Sequence, residues 1–273
     1  MTVLAPVPNR RRLSVDRRKR GGRRAEELEA ALREAQVEIL FQPLFSCTDG
    51  RLVGAEALSR WNHPRLGRIG AEALFDIAER AGEVARLTRH VAGRAMAVAA
   101  TWPADLRLSL NVTATDLAEE DFAETIADAV AQAGFAPGRL TLEITEHALV
   151  HDIELGAAQL EKLSALGVRI ALDDFGAGFC NFRYLKRLPL DALKLDRSMI
   201  EGITEDERDL AVLRGIMAMA QALGLAVTAE GIETEAQRAA VVREGCAVWQ
   251  GFLGAEPMTA EAFAQLVRRQ ARP

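Results

Sequence analysis

Residues 140–175 contain LTLEIT (140–145), ELGAAQLEKLSAL (154–166) and VRIALDDF (168–175). The first and third segments are short apolar runs of the length that buried strands have. The segment between them repeats apolar residues three and four positions apart, as an amphipathic helix does. A strand, a helix and a second strand in this order predict a parallel βαβ unit.

The same alternation extends in both directions along the chain. Eight candidate strands are Glu38–Phe45, Leu52–Leu58, Leu106–Val112, Leu140–Thr145, Val168–Phe175, Ala192–Asp196, Ala226–Ile232 and Val248–Leu253. The helical stretches are Ala25–Gln36, Ala71–Gly82, Glu83–Ala100, Thr115–Ala133, Glu154–Leu166, Glu207–Leu223 and Thr234–Glu244. Strands that alternate with helices over about 250 residues predict an α/β protein of the (β/α)8 TIM-barrel type. An open doubly wound sheet is disfavoured, because no glycine-rich phosphate-binding sequence follows the first strand.

Charge is distributed unevenly along the 273 residues. Residues 1–24 contain nine Lys and Arg and one Asp, and we interpret them as a disordered basic arm. Because the whole chain has a formal charge of −5, residues 25–273 carry −13. We expect residues 25–273 to form one domain. This acidic body argues against stable DNA binding. The arm is explained as a solvated tail, and the alternatives are attraction to anionic membrane or nucleic acid and contact with the acidic body.

Cysteine and histidine usage indicates a reducing compartment and argues against zinc. The cysteines form no CxxC pair, so we expect free thiols at Cys47, Cys180 and Cys246. The histidines show no metal-ligand spacing: His63, His90, His147 and His151. No apolar run approaches the roughly 20 residues of a membrane span, and no signal peptide is evident. We therefore expect a cytoplasmic protein without a transmembrane segment.

Polar residues recur at the carboxyl ends of the candidate strands, which meet at one mouth of a barrel. They are Glu56, Asn111, Glu143, Glu146, Asp173, Asp174, Lys194, Asp196, Glu230, Glu233 and Gln250. Carboxylates from several strands would repel one another there, and divalent cations are the usual remedy. Oxygen ligands select Mg²⁺ or Mn²⁺ over zinc. The adjacent Asp173 and Asp174 can bridge two cations, an arrangement used for displacement at a phosphodiester.

Each acid taken alone is also explained as a helix N-cap or a solvated turn residue. Their occurrence on five different strands is what favours a metal site. An unrelated Mg²⁺-dependent barrel enzyme acting on small acids fits the carboxylates as well, but it does not account for Lys194 and Gln250.

Eight segments resemble, in order, the EAL domain family of cyclic di-GMP phosphodiesterases. They are FQPL (41–44), EAL (56–58) with Arg60 and Trp61, NVT (111–113), EITE (143–146), DDFG (173–176), KLDRS (194–198), AEGIET (229–234), and QG (250–251) with Pro257. A single Glu-Ala-Leu is uninformative, whereas eight ordered segments over residues 30–270 are specific. The resemblance implies a barrel whose first strand is antiparallel to the others, and hydrolysis of cyclic di-GMP to linear diguanylate. No cyclase or second sensory domain is evident in the sequence.

By matching position, the resemblance also implies the role of each site residue. The ligands of two Mg²⁺ or Mn²⁺ ions would be Glu56, Asn111, Glu143, Asp173, Asp174 and Glu230. Glu230 and Lys194 would position and deprotonate the attacking water, while Gln42, Arg60 and Pro257 would contact the dinucleotide. The supporting residues around them would be Glu146, Asp196, Glu233 and Gln250. We expect Ca²⁺ to inhibit, because its longer bonds misplace the water.

Several positions depart from the family pattern. Ala177 and Phe179 lack hydroxyl groups that the family usually has in the loop after the fifth strand. Ala247 replaces the usual Asp, and Phe252 replaces a frequent Tyr. None of these positions is an implied metal ligand. The alternative function is a catalytically silent EAL domain that acts as a cyclic di-GMP receptor or as a protein-interaction module.

Self-association is a further expectation, through the loop after the fifth strand and the helix Glu207–Leu223. The apolar stripe on that helix would also fit packing against the barrel, which leaves two interpretations open. Because no sensory domain is evident, we expect regulation through a protein partner, the basic arm, the dimer interface or the level of expression.

Overall fold

The computed structural model describes residues 25–145, 153–177 and 182–270. The predicted basic arm, Glu146 and Phe179 therefore lie outside the described residues. The described chain forms two compact units. The first contains residues 25–38 and 59–87, and the second contains residues 39–58 and those from 88 onward.

The second unit is built on a closed barrel of parallel strands with one antiparallel member. The strands are β1 (Val37–Ser46), β2 (Leu52–His63), β4 (Arg107–Val112), β5 (Leu140–Thr145), β6 (Arg169–Phe175), β7 (Ala192–Leu195), β8 (Ala226–Ala229) and β9 (Val248–Trp249). Their order is β1-β9-β8-β7-β6-β5-β4-β2, and pairing of β1 with β2 closes the ring. β1 pairs antiparallel with β9. The strand β2 and the strands β4 to β9 are parallel to one another. The predicted barrel and its antiparallel first strand are confirmed.

Strand register separates two faces of the barrel wall. On one face Leu110 pairs with Leu142, and both side chains are buried. On the other face Asn111 pairs with Glu143, and Thr145 pairs with Asp173. Because successive side chains alternate between faces, apolar residues cover the outside of the wall while polar residues line the inside.

Helices surround the barrel, as the sequence pattern predicts. They are α3 (Val84–Ala99), α4 (Ala114–Leu117), α5 (Phe122–Gln132), α6 (Ile153–Ala165), α7 (Phe182–Arg187), α8 (Glu207–Leu223), α9 (Glu235–Arg243) and α10 (Ala260–Gln270). Capping boxes at Thr113 and Thr234 begin α4 and α9, and Gly224 ends α8 with a φ of 71°. The prediction of a single helix over Thr115–Ala133 was wrong, because the chain forms two helices there, α4 and α5.

The C-terminal helix α10 was not predicted from the sequence. Phe263 of this helix is fully buried and lies 4.5 Å, centroid to centroid, from Trp102 and 6.1 Å from Phe41. Gln270 at the end of the helix accepts a hydrogen bond from the backbone N–H of Leu52 at 2.7 Å. The helix therefore packs on the barrel through one aromatic cluster.

The last two strands are shorter than predicted. The chain leaves β9 after Trp249, because Gly251 lies so close to Ile232 that a Cβ there would be 2.1 Å from the Ile232 carbonyl oxygen. Ile232 in turn donates its N–H to the carbonyl of Gln250 at 3.0 Å. Tight turns thus replace the predicted strand ends, and no side chain larger than hydrogen fits at residue 251.

The first unit contains the helix α1 (residues 25–33), the strand β3 (Gly67–Ile69), which pairs with the end of β2, and the helix α2 (Ala71–Ala81). Trp61 donates its indole N–H to the side chain of Gln36 at 3.1 Å. The backbone of Asn62 donates to the Gln36 carbonyl at 2.8 Å. These bonds anchor the segment that follows the first helix to the end of β2.

The apolar stripe of α8 faces the barrel. Leu213 and Ala220 are fully buried, and Leu210, Ile216 and Met217 pack against the core. Of the two interpretations of this stripe, the structure thus supports packing within the fold. Among the described residues, none of the helices has the length and apolar character that crossing a membrane requires.

Candidate active site

A buried lysine lies at the centre of the carboxylates at the barrel mouth. The Lys194 side chain on β7 is 3% exposed. Its Nζ lies 2.6 Å from Glu143 Oε2, 2.7 Å from Glu230 Oε1, 3.1 Å from Asp173 Oδ2 and 3.7 Å from Glu56 Oε2. Four strands and the turn after β8 contribute one side chain each, and the structure brings together these five predicted site residues.

Two amides complete this cluster. Asn111 on β4 donates from Nδ2 to Glu56 Oε1 at 2.6 Å, and Gln250 after β9 donates from Nε2 to Glu56 Oε2 at 3.0 Å. Both oxygens of Glu56 are therefore held, which fixes the plane of its carboxylate. Within the described residues, the buried Oε1 of Gln250 has no hydrogen-bond partner. An acceptor that points into a charged site without a partner is a position for a water or a ligand.

Burial and the neighbouring charges shift the pKa values of the residues in this cluster. Burial raises the pKa of Glu230 to about 8; Lys194 opposes this shift, and Asp173 and Glu56 add to it. Burial likewise raises the pKa of Glu143 well above its usual value. Burial alone would lower the pKa of Lys194, but the surrounding carboxylates outweigh it and raise that pKa. The lysine is therefore a permanent cation at the centre of the site.

Backbone geometry at the end of β6 separates the two adjacent aspartates. Asp174 has a φ of 54°, in the left-handed region that non-glycine residues seldom adopt. Its N–H bonds to Asp173 Oδ1 at 2.9 Å, and the pairing of β6 with β7 shifts register between Leu172 and Phe175. Strained backbone of this kind persists where the surrounding structure holds it, often at functional sites. Burial and the charge of Asp173 both raise the pKa of Asp174.

The donor set fits divalent cations in chemistry and charge. Four carboxylates, those of Glu56, Glu143, Asp173 and Glu230, lie within 3.7 Å of the ammonium of Lys194, and Asp174 adds a fifth next to Asp173 in sequence. Among the residues that the structure describes, no group of three His, Cys, Asp or Glu side chains is already arranged around a metal position. The carboxylates instead converge on the lysine. An excess of hard oxygen donors over cations is what Mg²⁺ or Mn²⁺ binding requires.

Two of the predicted substrate contacts, Gln42 and Pro257, are neighbours within the second unit. Phe41 and Met258 exchange backbone hydrogen bonds of 2.8 and 3.0 Å, which places Gln42 beside Pro257 in an antiparallel bridge. Arg60 belongs to the first unit, where its Nη1 donates to the Ser59 carbonyl at 2.8 Å.

Two predicted supporting residues, Asp196 and Glu233, are held by partners other than the buried carboxylates. Asp196 accepts a hydrogen bond from the Ser198 N–H at 2.9 Å. Burial would raise the pKa of Asp196, but these local hydrogen bonds lower it overall. Glu233 pairs with Nη1 of Arg197 at 2.7 Å. No role was predicted for Arg197 from the sequence, although it belongs to the segment KLDRS (194–198) that resembles the family.

Comparison with known proteins identifies the family. The EAL domain profile matches residues 25–257. The chain belongs to the EAL domain family. "Cyclic di-GMP phosphodiesterase NbdA" of Pseudomonas aeruginosa is 39% identical over 247 residues, which are 89% of this chain and 32% of that protein. "Bifunctional diguanylate cyclase/cyclic di-GMP phosphodiesterase MucR" of the same organism is 36% identical, over 86% of this chain and 35% of its own. This EAL chain thus spans about a third of the length of these relatives.

Solved EAL structures share the architecture. The structure described as "PaMucR Phosphodiesterase, c-di-GMP complex" superposes with a TM-score of 0.81 at 35% identity, covering 88% of this chain and 99% of that one. The EAL domain of Mycobacterium smegmatis DcpA gives a TM-score of 0.73 at 31% identity, with coverages of 88% and 99%. Both matches extend over nearly the whole of the compared EAL domain.

Proposed function

We propose that this EAL domain hydrolyses cyclic di-GMP to linear diguanylate and so lowers the level of that second messenger. The observation that carries the proposal is the buried cluster of Lys194 and four carboxylates at the barrel mouth. The relatives NbdA and MucR, whose names describe phosphodiesterases of cyclic di-GMP, support the choice of substrate. Every implied metal and water residue is present in this chain.

The proposed metal ligands are Glu56, Asn111, Glu143, Asp173, Asp174 and Glu230. When bound, two divalent cations, Mg²⁺ or Mn²⁺, would supply Lewis-acid stabilisation of the phosphodiester oxygens and would lower the pKa of nearby carboxyl groups. Asn111 Nδ2 is used by Glu56, which leaves the Asn111 carbonyl oxygen for a ligand.

The chain's own residues perform the proton transfer and the positioning. Glu230, with one carboxylate oxygen 2.7 Å from Lys194, accepts the proton of the attacking water. Lys194 keeps that carboxylate in place and adds a positive charge close to the phosphodiester, where charge develops as the ring opens. Gln250, through its free Oε1, accepts a hydrogen bond from water in the site.

Substrate contacts are proposed on the matching positions. Gln42 and Pro257, which lie side by side, would contact the dinucleotide together. Arg60 remains a predicted contact of the same ligand.

The decisive experiment measures cyclic di-GMP turnover by the purified protein, with Mg²⁺, Mn²⁺, Ca²⁺ or no added metal, and chromatographic identification of the product. We expect linear diguanylate with Mg²⁺ or Mn²⁺ and little product with Ca²⁺. Glu230→Gln should abolish most hydrolysis and still bind cyclic di-GMP in Ca²⁺. Binding without turnover in any metal would instead establish the alternative, a silent receptor domain.

Self-association and protein partners are secondary proposals. Since the Leu210–Ala220 stripe packs inward, a homodimer through α8 would have to use its exposed residues, such as Val212 and Leu223. Light scattering at micromolar concentration tests this, and a monomeric mass with full activity contradicts it.

A further inference from the structure

The carboxyl ends of β7 and β8 are joined by two ion pairs. The inner pair links Lys194 to Glu230 at 2.7 Å. Three residues further along each strand, the outer pair links Arg197 to Glu233 at 2.7 Å. The Glu230 N–H also donates to the Leu195 carbonyl at 3.1 Å. The outer pair therefore repeats the inner one at the surface of the same two segments.

The stem of Arg197 lies directly on the turn that carries Glu230. A Cβ at Gly231 would come within 2.6 Å of both Cβ and Cγ of Arg197. Gly231 also has a φ of 66°, which favours glycine on backbone grounds alone. The arginine side chain thus covers the backbone of the residue that follows Glu230.

A second carboxylate fixes the direction of the guanidinium. Arg197 Nε lies 2.7 Å from Glu201 Oε1, while Nη1 serves Glu233. Because the guanidinium is planar, bonds to two of its nitrogens leave little freedom of orientation. The Arg197 side chain is 51% exposed, so these pairs contribute little to stability. Their consequence is that the turn after β8 is held against the turn after β7.

We propose that Arg197 is a positioning residue that holds the turn after β8 so that the Glu230 carboxylate stays beside Lys194. The inference rests on the proposed phosphodiesterase function. Arg197 acts through Glu230 and the backbone of Gly231, and it touches none of the buried carboxylates that the structure gathers at Lys194.

A series of substitutions separates the stem from the charge. Arg197→Met keeps the stem over Gly231 and removes both ion pairs. Arg197→Lys keeps one positive charge. Arg197→Ala removes both the stem beyond Cβ and the charge. The matched control is Arg214→Met. Arg214 is 58% exposed and also makes two bonds, at 2.8 and 3.0 Å, but its partner Glu244 caps the end of α9 and is none of the predicted site residues.

In saturating Mg²⁺ we expect Arg197→Met to lower kcat about tenfold to hundredfold with KM for cyclic di-GMP nearly unchanged. Arg197→Lys should restore part of kcat, and Arg197→Ala should lose more than Arg197→Met. Arg214→Met should keep normal kcat and have a thermal midpoint similar to that of Arg197→Met. An unchanged kcat in Arg197→Met, or a raised KM alone, would overturn the proposal.

A second measurement does not depend on turnover. Amide hydrogen exchange over residues 230–234 should accelerate in Arg197→Met and stay unchanged in Arg214→Met. Equal exchange in the unmutated and Arg197→Met proteins would also overturn the proposal. Absence of cyclic di-GMP hydrolysis by the unmutated protein would refute the proposed function, whereas the exchange result reports on the position of the turn in either case.

Discussion

Replacing the buried lysine tests the electrostatics of the site directly. Lys194→Met preserves most of the side-chain volume and removes the positive charge that lies within 4 Å of four carboxylates. Removing one partner of a buried ion pair costs about 3–5 kcal/mol, because the opposite charge stays buried without compensation. Glu230 and Glu143 have raised pKa values and can take up protons, which neutralises part of the uncompensated charge. The loss in free energy of unfolding therefore stays within this range.

The assay is urea denaturation at neutral pH in the presence of a chelator. With an m value of about 3 kcal/mol/M, the loss corresponds to a midpoint lower by about 1–1.7 M. Lys162→Met is the control: its ammonium pairs with Glu124 at 3.0 Å, but the lysine side chain is 50% exposed. We expect about 1 kcal/mol or less for that exposed pair.

Adding Mg²⁺ or Mn²⁺ should then restore much of the stability of Lys194→Met, since a bound cation replaces the missing positive charge. The gain in stability should depend on metal concentration and should be larger in Lys194→Met than in Lys162→Met, whose site keeps the lysine. A Lys194→Met protein as stable as the unmutated one in chelator would refute the view that the lysine compensates the buried carboxylates.

Three further outcomes are expected. Asp173→Asn should lose most turnover while keeping its circular dichroism spectrum, since it removes a charge at the proposed meeting point of two cations; near-normal rates in saturating Mg²⁺ would count against the two-metal assignment. Because folding raises the pKa of Glu230 from 4.5 to about 8, the stability from its protonated form is complete below pH 4.5 and is lost as the pH rises through 8. In chelator, the stability of the unmutated protein should therefore fall relative to Glu230→Gln over this range, and parallel pH curves would contradict the shift. Burial raises the pKa of Cys47 to about 11 and of Cys246 to about 12, so in a Cys180→Ser protein a chromogenic disulfide reagent at about pH 8 should react only after denaturation.

Periodicity and residue order determined the barrel and the candidate residues. The run LTLEIT at residues 140–145 predicts a buried strand by itself, and the structure forms β5 over Leu140–Thr145. Local signals suffice there, because alternation between the two faces of a strand is a property of the backbone. The same alternation marked Asn111, Glu143 and Asp173 as polar residues on otherwise apolar strands.

The helix α10 and the early end of β9 were not predicted, because the sequence patterns that mark them are weak or depend on distant residues. The helix α10 depends on Phe263 packing beside Trp102 and Phe41, which are distant in sequence. The early end of β9 depends on the close approach of Gly251 to Ile232. Neither contact leaves a periodic trace within a window of the sequence.

The arrangement of the site was decided by tertiary structure. Sequence placed Lys194 at a strand end, but only closure of the barrel puts its Nζ 2.6 Å from Glu143, a residue 51 positions earlier. The register of β7 on β8 brings Arg197 onto Gly231, a contact that no sequence motif predicts. Both results follow from strand register and from the pairing of β1 with β2, which close the ring and set which side chains share a layer. Residue type and order are local properties of the chain, whereas distances between charges on different strands exist only once the ring is closed.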